Sequence, residues 1–237
     1  TIRLKFWSNI TPTFPKGTAV QVSSDPNVWD LTYENNDWSE LYYDGTLRHQ
    51  TYIKEVLGAN TTNVTSMVSM FYFCTSLTSV ALFDTSTVIN MGALFSDCSA
   101  LSSVPLFDTS RVTNMASMFN DCKKLKTVPL FNTNKVTNPQ AMFYGCSSLT
   151  TVPLFDTSNW DNMYTTFAGC ISLSSVPLFN TNKVTNMVAL GVLSSVANIV
   201  DKVYLAQGFE KVMGEKKKDL LPLNKKALEV GYNSINK

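Results

Sequence analysis

Histidine is nearly missing from this chain of 237 residues, since His49 is its single copy. Most metal hydrolases and catalytic triads use histidine as a ligand or as the general base, so its scarcity argues against both. The sequence also has no G-x-S-x-G, no P-loop and no G-x-G-x-x-G motif, the signatures of serine hydrolases and nucleotide-binding enzymes. We therefore expect a protein that is not an enzyme, with no catalytic residue and no cofactor, and a structural role for His49.

Net charge and long apolar runs are scarce as well. The formal net charge is +1, which creates no global attraction to nucleic acid or to a membrane surface. No apolar run approaches the roughly 20 residues that a membrane-spanning helix needs. The basic run at 216–218 has no interleaved aromatic side chains to stack on bases, and we interpret it as a solvated surface. We expect neither nucleic acid nor a membrane span.

Cysteine occurs five times, but never as C-x-x-C or at a zinc-like spacing from histidine, so no metal site is predicted. An odd count cannot pair completely into disulfides. Each cysteine follows the same apolar pattern, which is typical of a small buried side chain. We predict a ladder of reduced, buried cysteines, formed by Cys74, Cys98, Cys122, Cys146 and Cys170.

What the sequence does contain is a repeat of 24 residues that runs from Val64 to Lys183. Five copies can be aligned, and their first residues are Val64, Val88, Val112, Val136 and Trp160. A degenerate copy precedes them and begins near Trp38. A fixed period of this length predicts stacked units that bury their apolar faces only against one another.

The first half of each copy has the spacing of a short helix. In the copy from Val112, Asn114 can cap a helix that runs from Met115 to about Asp121. Apolar residues recur three or four positions apart in this segment, which is the helical period. We predict one short helix in each repeat.

The second half of each copy is extended. Leu125, Val128 and Leu130 match the L-x-x-L-x-L spacing whose leucines point inward in leucine-rich repeats. A proline inside this stretch cannot donate a hydrogen bond to a neighbouring strand, so the parallel sheet should be short. The prolines are Pro105, Pro129, Pro153 and Pro177.

The motif VTNM-x-x-MF-x-x-C-x-x-L-x-x-VPLF-D/N-T resembles the BspA-like leucine-rich repeats of bacterial surface proteins. The resemblance covers residues 64–187, with a faint copy at 38–63. It implies an α/β solenoid, a right-handed coil with a short parallel sheet on one side. It also implies a protein at the cell surface, secreted, or associated with a phage virion, used for adhesion or recognition. A parallel β-helix is the alternative fold, and the helix-forming Met and Ala residues argue against it.

Three segments follow from this interpretation. Residues 1–37 are predicted to form an N-terminal β meander that caps the stack. Residues 38–187 form the repeat solenoid: the degenerate first repeat, five full repeats and the start of a sixth. In residues 188–237 the apolar positions return at helical spacing, which predicts a helical cap or a segment that docks onto an assembly.

Two columns of residues are candidates for a binding face. A column of phenylalanines is exposed if strict alternation continues past the inward Val128 and Leu130, and it is core if the strand ends first. A column of Asp and Asn residues would bind a ligand or cation, unless each side chain instead caps its own turn. The candidates are Phe83, Phe107, Phe131, Phe155, Phe179, Asp84, Asp108, Asn132, Asp156 and Asn180.

Three functions remain open from the sequence. The first is a non-enzymatic recognition or adhesion module that presents a repeated surface to a protein or glycan. The second is a structural component of a surface or virion assembly, with 188–237 as its docking element. The third is a carbohydrate-active enzyme built on a β-helix, with paired carboxylates from the Asp column.

Overall fold

The computed structural model describes residues 1–7, 12, 17–22, 24–33, 50–161, 163, 165–174 and 177. Within these residues, five strands form one open, mixed sheet in the order β2-β3-β1-β4-β5. The strands are β1 (Ile2–Phe6), β2 (Gly17–Gln21), β3 (Val28–Tyr33), β4 (Ile53–Ala59) and β5 (Ser79–Val80), and a 3-10 helix spans Gln50–Tyr52. The predicted helical segment 188–237, His49, Phe179 and Asn180 lie outside the described residues.

Three strands lie within the predicted N-terminal segment, but they are not in the order that a meander requires. β1 pairs antiparallel with β3 on one side and with β4 on the other, whereas β2 pairs with β3. The meander prediction is therefore wrong. β1 is central because it buries Ile2, Leu4 and Phe6 almost completely, whereas β2 is largely exposed and suits the edge of a sheet.

β4 joins this antiparallel part of the sheet to the repeats. It pairs in parallel with β5, and the matched residues are Glu55 with Ser79 and Val56 with Val80. Each pair is separated by 24 positions, which places the degenerate copy in phase with the full repeats. β1 covers the edge of β4 that faces away from β5.

Between residues 60 and 174, the described part of the chain stacks in coils of 24 residues. Parallel bridges connect Ser66 with Asn90, Asn90 with Asn114, and Asn114 with Asn138. Each bridge joins equivalent positions of neighbouring copies, so the repeat predicted from the sequence is present as a structural repeat. Buried phenylalanine and cysteine side chains follow the same regular spacing.

The predicted short helices are absent, because the described residues contain no α-helix. In the segment from Met91 to Asp97, alternate N–H groups donate along the stack to the next coil. The bonds run from Met91, Ala93, Phe95 and Asp97 to the carbonyls of Asn114, Ala116, Met118 and Asn120, at 2.7–3.0 Å. The intervening N–H groups of Leu94, Ser96 and Cys98 donate three residues back within their own coil.

This alternation explains why the helical period was misleading. Overlapping three-residue turns place buried side chains three or four positions apart, as a helix does. Ala93 and Asp97, however, have positive φ angles of 52° and 62°, which an α-helix does not contain. In stacked coils, alternate N–H groups can donate to carbonyls of the neighbouring coil, whereas in a helix the N–H groups would donate to carbonyls of the same helix. The helix-forming Met and Ala residues therefore do not exclude a parallel β-helix.

The extended half of each repeat contains little β-strand, as the prolines predict. Within residues 60–161 the repeats form one strand, β5, which is two residues long. Leu125 and Val128 are buried as predicted, but Leu130 is 60% exposed, so its inward assignment is wrong. The cause is a tight turn in which the Phe131 N–H donates to the Pro129 carbonyl at 2.9 Å. This turn directs Leu130 outward and Phe131 inward.

Candidate binding surface

The phenylalanine column lies in the core. Four of the five candidates are described, and their exposed fractions are 7% or less: Phe83, Phe107, Phe131 and Phe155. The exposed-stripe interpretation is therefore wrong for these residues, and the alternative of a core position is correct. In the three copies that have a proline, the turn at that proline is the physical reason, because it breaks strand alternation one residue before the phenylalanine.

A second phenylalanine column holds the first one in place. The Phe119 ring stacks on Phe143, with centroids 5.7 Å apart and planes 5° apart, and also on Phe131 at 6.2 Å. The same pairs recur one coil earlier and one coil later. The interior is thus a continuous aromatic stack with a repeat of one coil.

The Asp and Asn column is exposed, and its side chains cap their own turns. Each Oδ1 accepts the backbone N–H two residues later, at 2.9–3.2 Å, in Asp84, Asp108, Asn132 and Asp156. Hydrogen bonds from Ser110, mainly from its N–H and in smaller part from its hydroxyl, lower the pKa of Asp108. At Asp84 and Asp156 the pKa is lowered by hydrogen bonds from Ser86 and Ser158 respectively, mainly from the hydroxyl and in smaller part from the N–H. Asp and Asn are interchangeable here because the cap needs one acceptor oxygen.

A buried threonine beside each of these caps was not singled out from the sequence. The Thr109 Oγ1 donates to the backbone carbonyl of Asn132 at 2.9 Å, and Thr85 and Thr133 make the same bond to the next coil at 2.8 Å. All three threonines are 1% exposed. The signal was the invariant Thr of the D/N-T pair, a polar residue that never varies between copies.

Together these bonds define a surface that we name the turn edge, at residues 84–87, 108–111, 132–135 and 156–159. Its backbone is fixed by the Asx caps within a coil and by the threonines between coils. Its fourth position, in contrast, changes from coil to coil and is occupied by Thr87, Arg111, Lys135 and Asn159. Arg111 and Lys135 are exposed.

A second surface, which we name the leucine stripe, consists of Leu82, Leu106, Leu130 and Leu154. These side chains are 59–64% exposed. The L-x-x-L-x-L spacing predicted that one of them, Leu130, lies in the core. The sequence did contain a signal for their exposure, the proline that precedes three of these four leucines. A turn at proline reverses the alternation of inward and outward residues.

The cysteine prediction is confirmed: all five thiols are buried and none is in a disulfide. The Sγ atoms of Cys98, Cys122, Cys146 and Cys170 each donate to a phenylalanine carbonyl of the preceding coil, at 3.0–3.1 Å. Loss of hydration on burial raises the pKa of each of these four thiols, and that of Cys170 to about 12. These thiols are structural groups with little thiolate character.

Comparison with known proteins gives two partial matches to family models. Residues 37–151 match a family described as Mycoplasma protein of unknown function, DUF285, which is related to BspA-like repeat proteins. Residues 127–234 match the family Pyruvate ferredoxin/flavodoxin oxidoreductase. Each match covers less than half of the chain. No curated protein and no solved structure matches it.

The two matches overlap at residues 127–151, where the structure shows the coil geometry of the earlier copies. The DUF285 match carries no enzyme role, whereas the second family is one of oxidoreductases. Among the described residues, no three His, Cys, Asp or Glu side chains are grouped as metal ligands would be. None of the described helices has the length and hydrophobicity to cross a membrane.

Proposed function

We propose that this protein is a non-enzymatic recognition or adhesion module that presents its turn edge to a protein or glycan partner. In this proposal residues 38–187 form a right-handed, leucine-rich-repeat-like solenoid of the BspA-like kind. Residues 1–37 cap its first coil, and residues 188–237 cap its last coil or dock it to an assembly. The protein would act at a cell surface, as a secreted protein or on a virion.

The observation that supports this function is the contrast between a fixed backbone and variable side chains at the turn edge. Thr109 holds one turn against the next through a buried hydrogen bond, and Asp108 caps its own turn. The position that ends each turn differs in all four described coils. Binding residues are commonly carried on loops that a rigid scaffold positions, and stacked repeats provide long surfaces of this kind.

The chemistry of the turn edge favours a partner with anionic groups. Arg111 and Lys135 occupy equivalent positions of neighbouring coils, which stack about 4.8 Å apart if they repeat at the strand spacing. Two cations at that distance can bind one carboxylate, sulfate or phosphate group together. Asp108 begins the same turn as Arg111, and Asp84 and Asp156 begin the turns one coil away on either side, which would exclude partners of dense negative charge.

The test is binding to a panel of neutral and acidic glycans and of immobilised purified proteins. The variant Arg111→Thr/Lys135→Asn carries the residues that the same column has in other coils, so it should fold normally. We expect it to bind the partner at least about tenfold more weakly. The control Lys123→Ser/Lys124→Ser removes the same charge elsewhere in the coil and should bind within about twofold of the native protein.

Three results would contradict the proposal: no saturable binding to any member of the panel, equal weakening by both double variants, or hydrolysis of a bound glycan. Hydrolysis would instead favour the carbohydrate-active enzyme. A structural component of a surface or virion assembly is the second candidate. The leucine stripe favours it, because an exposed and invariant apolar surface is typical of an assembly contact.

A further inference from the structure

The leucine stripe combines two properties that rarely occur together. Its side chains are 59–64% exposed, yet the residue type is the same in all four coils. Other positions of the same extended stretch do vary, including one that is exposed in three of the four coils. The position four residues before each leucine, for example, is occupied by Thr78, Ser102, Lys126 and Thr150.

The fold itself does not require leucine at these positions. Leu130 lies at the outer corner of the turn that the Phe131 N–H and the Pro129 carbonyl close. A side chain at that corner adds little to the interior, and a polar residue there would remain hydrated. The degenerate copy has Gly58 at the equivalent position, and no heavy atom lies within 4 Å of the point that a Cβ would occupy there. An invariant exposed leucine therefore indicates a contact outside the coil.

We propose that the leucine stripe is the surface through which two copies of this chain associate. The leucines recur once in each coil, about 4.8 Å apart if the coils repeat at the strand spacing. A second copy has the same period, so its leucines can interdigitate with these along the whole length of the stack. A partner with another period would lose register after one or two coils. Identical side chains interdigitate in this way in dry interfaces between stacked sheets.

The charge of the surface is compatible with self-association. The stretches 78–82, 102–106, 126–130 and 150–154 contain one charged residue, Lys126. A two-fold interface places the same patch on both sides, so a strongly charged patch would repel its copy. Hydroxyl side chains occupy the corresponding positions in the other three stretches. Those of Thr78 and Thr150 donate to the Lys54 and Lys126 carbonyls of the preceding coil, and their oxygens can still accept a hydrogen bond across the interface.

The size of the stripe predicts a weak dimer. Four coils at about 4.8 Å and five residues at about 3.3 Å give a face of roughly 19 by 16 Å, or about 300 Å² in projection. Two such faces fall short of the approximately 1,600 Å² that a standard stable interface buries. We therefore expect a dimer that forms at micromolar or higher concentration rather than a permanent one.

Sedimentation velocity of the full chain from about 5 to 500 µM tests this proposal, since that range covers weak homodimers. The native protein should show a monomer–dimer equilibrium. The variant Leu106→Ser/Leu130→Ser should raise the dimer dissociation constant at least about tenfold, because it removes two central apolar contacts. Lys126→Thr, which copies the hydroxyl column, should strengthen the dimer about two- to fivefold by removing a like-charge contact.

The matched control is Ile89→Thr/Ile171→Ser. It also removes two exposed apolar side chains, at 38% and 70% exposure, and it inserts residue types that the same columns contain in other coils. This control should dimerise as the native protein does. Thermal unfolding of each variant at low concentration verifies that all of them fold.

A native protein that stays monomeric over the whole range overturns the proposal, as does a dimer that the stripe variant leaves intact. Equal weakening by the stripe and control variants also overturns it. A monomeric native protein whose partner binding is lost in the stripe variant would assign the stripe to a different ligand. The proposed recognition function is tested separately, because the Arg111 and Lys135 variant leaves the leucines unchanged.

Discussion

The thiol of Cys122 donates a hydrogen bond of 3.1 Å to the backbone carbonyl of Phe95, a residue 27 positions earlier in the chain. The same carbonyl accepts the Cys98 N–H at 3.1 Å. The carbonyl thus receives one bond from its own coil and one from the next. Cysteine suits this position because it fills an apolar site as a small hydrophobic side chain and still provides a weak donor.

Replacement of Cys122 should therefore reveal both of its roles. We expect Cys122→Ala to lower the free energy of unfolding by about 1–3 kcal/mol, because it removes the donor and leaves a small cavity. Cys122→Ser should cost a similar amount through burial of a more polar group. Urea denaturation measures both values. A loss of less than about 0.5 kcal/mol in both variants, as for an ordinary surface site, would contradict a buried role.

The raised thiol pKa values predict a loss of stability at alkaline pH. A thiol in the unfolded chain ionises near 9.0, whereas burial raises the pKa of Cys170 to about 12. Above pH 9 the unfolded chain loses protons that the folded chain keeps, so the free energy of unfolding falls as pH rises between these values. The fall is up to about 1.4 kcal/mol per pH unit for each such thiol.

Cys170→Ala is the control for this pH dependence. Tyrosine and lysine groups titrate in the same range in both proteins, so the difference between their slopes reports the thiol. Urea denaturation at several pH values between about 8 and 11 should give a shallower slope for the variant. Identical slopes would show that this thiol ionises equally in the folded and unfolded chains.

The sequence predicted the period and the buried cysteines, and it offered the Asx caps as one of two interpretations of the Asp and Asn column, because each of these features is local or strictly repeated. Asp108 and Ser110 are two residues apart, so turn chemistry alone relates them. The 24-residue spacing of the cysteines requires only that equivalent positions share one environment. Neither inference needs knowledge of which backbone groups pair between coils.

The helix and the inward Leu130 were mispredicted because both depend on those pairings. An N–H such as that of Ala93 has two possible acceptors, one in its own coil and one in the next, and periodicity does not distinguish them. The turn that Pro129 and Phe131 close reverses the side-chain alternation over a single residue. The order of the N-terminal strands was missed for a similar reason, since β1 pairs with a strand that lies some 50 residues away.

Asp108 should tolerate asparagine but not alanine. Asp108→Ala removes the acceptor for the Ser110 N–H, and we expect a cost of about 1 kcal/mol, similar to the loss of a helix N-cap. Asp108→Asn keeps the acceptor, as Asn132 does in the next coil, and should cost less. Thermal or urea unfolding at neutral pH measures the difference, and a larger loss for asparagine than for alanine would contradict the capping role.

The same residue gives a prediction for acidic pH. The Ser110 N–H lowers the pKa of Asp108 below 3.8, so the carboxylate stabilises the folded chain above that value. This contribution is lost as pH falls through the lower, folded-state pKa. Asp108→Asn cannot titrate, so its stability should fall less steeply than that of the native protein below about pH 4. Parallel curves would show that the cap does not depend on charge.

Gly145 should accept a side chain less readily than Gly58, although Asp97 and Asp121 hold the equivalent position of earlier coils at positive φ. Its φ angle is +69°, and an added Cβ would lie 2.6 Å from the Asp121 Oδ1. We expect Gly145→Ala to cost about 1 kcal/mol, mainly through left-handed backbone strain and in smaller part through rotation of that carboxylate. Gly58→Ala is the matched control, because no heavy atom lies within 4 Å of its Cβ position. Equal urea midpoints for the two variants would contradict the close approach of Asp121 and Gly145.

Two neighbouring residues, Leu130 and Phe131, provide the sharpest test of the coil geometry. Phe131 is 1% exposed and stacks on Phe119, with centroids 6.2 Å apart. Phe131→Ala should therefore lower the free energy of unfolding by about 3–5 kcal/mol. Leu130 is 60% exposed, so Leu130→Ala should change it by less than about 0.5 kcal/mol at a concentration where the chain is monomeric.

Strand alternation without the proline turn predicts the opposite result, because it would bury Leu130 and expose Phe131. Urea denaturation of the two variants under identical conditions therefore distinguishes the two geometries. The deciding quantity is the difference between the two losses in free energy of unfolding, whose sign is opposite in the two cases. A larger cost for Leu130→Ala than for Phe131→Ala would overturn the turn at Pro129. It would also overturn the leucine stripe, because the dimer contact requires that the leucines point away from the core.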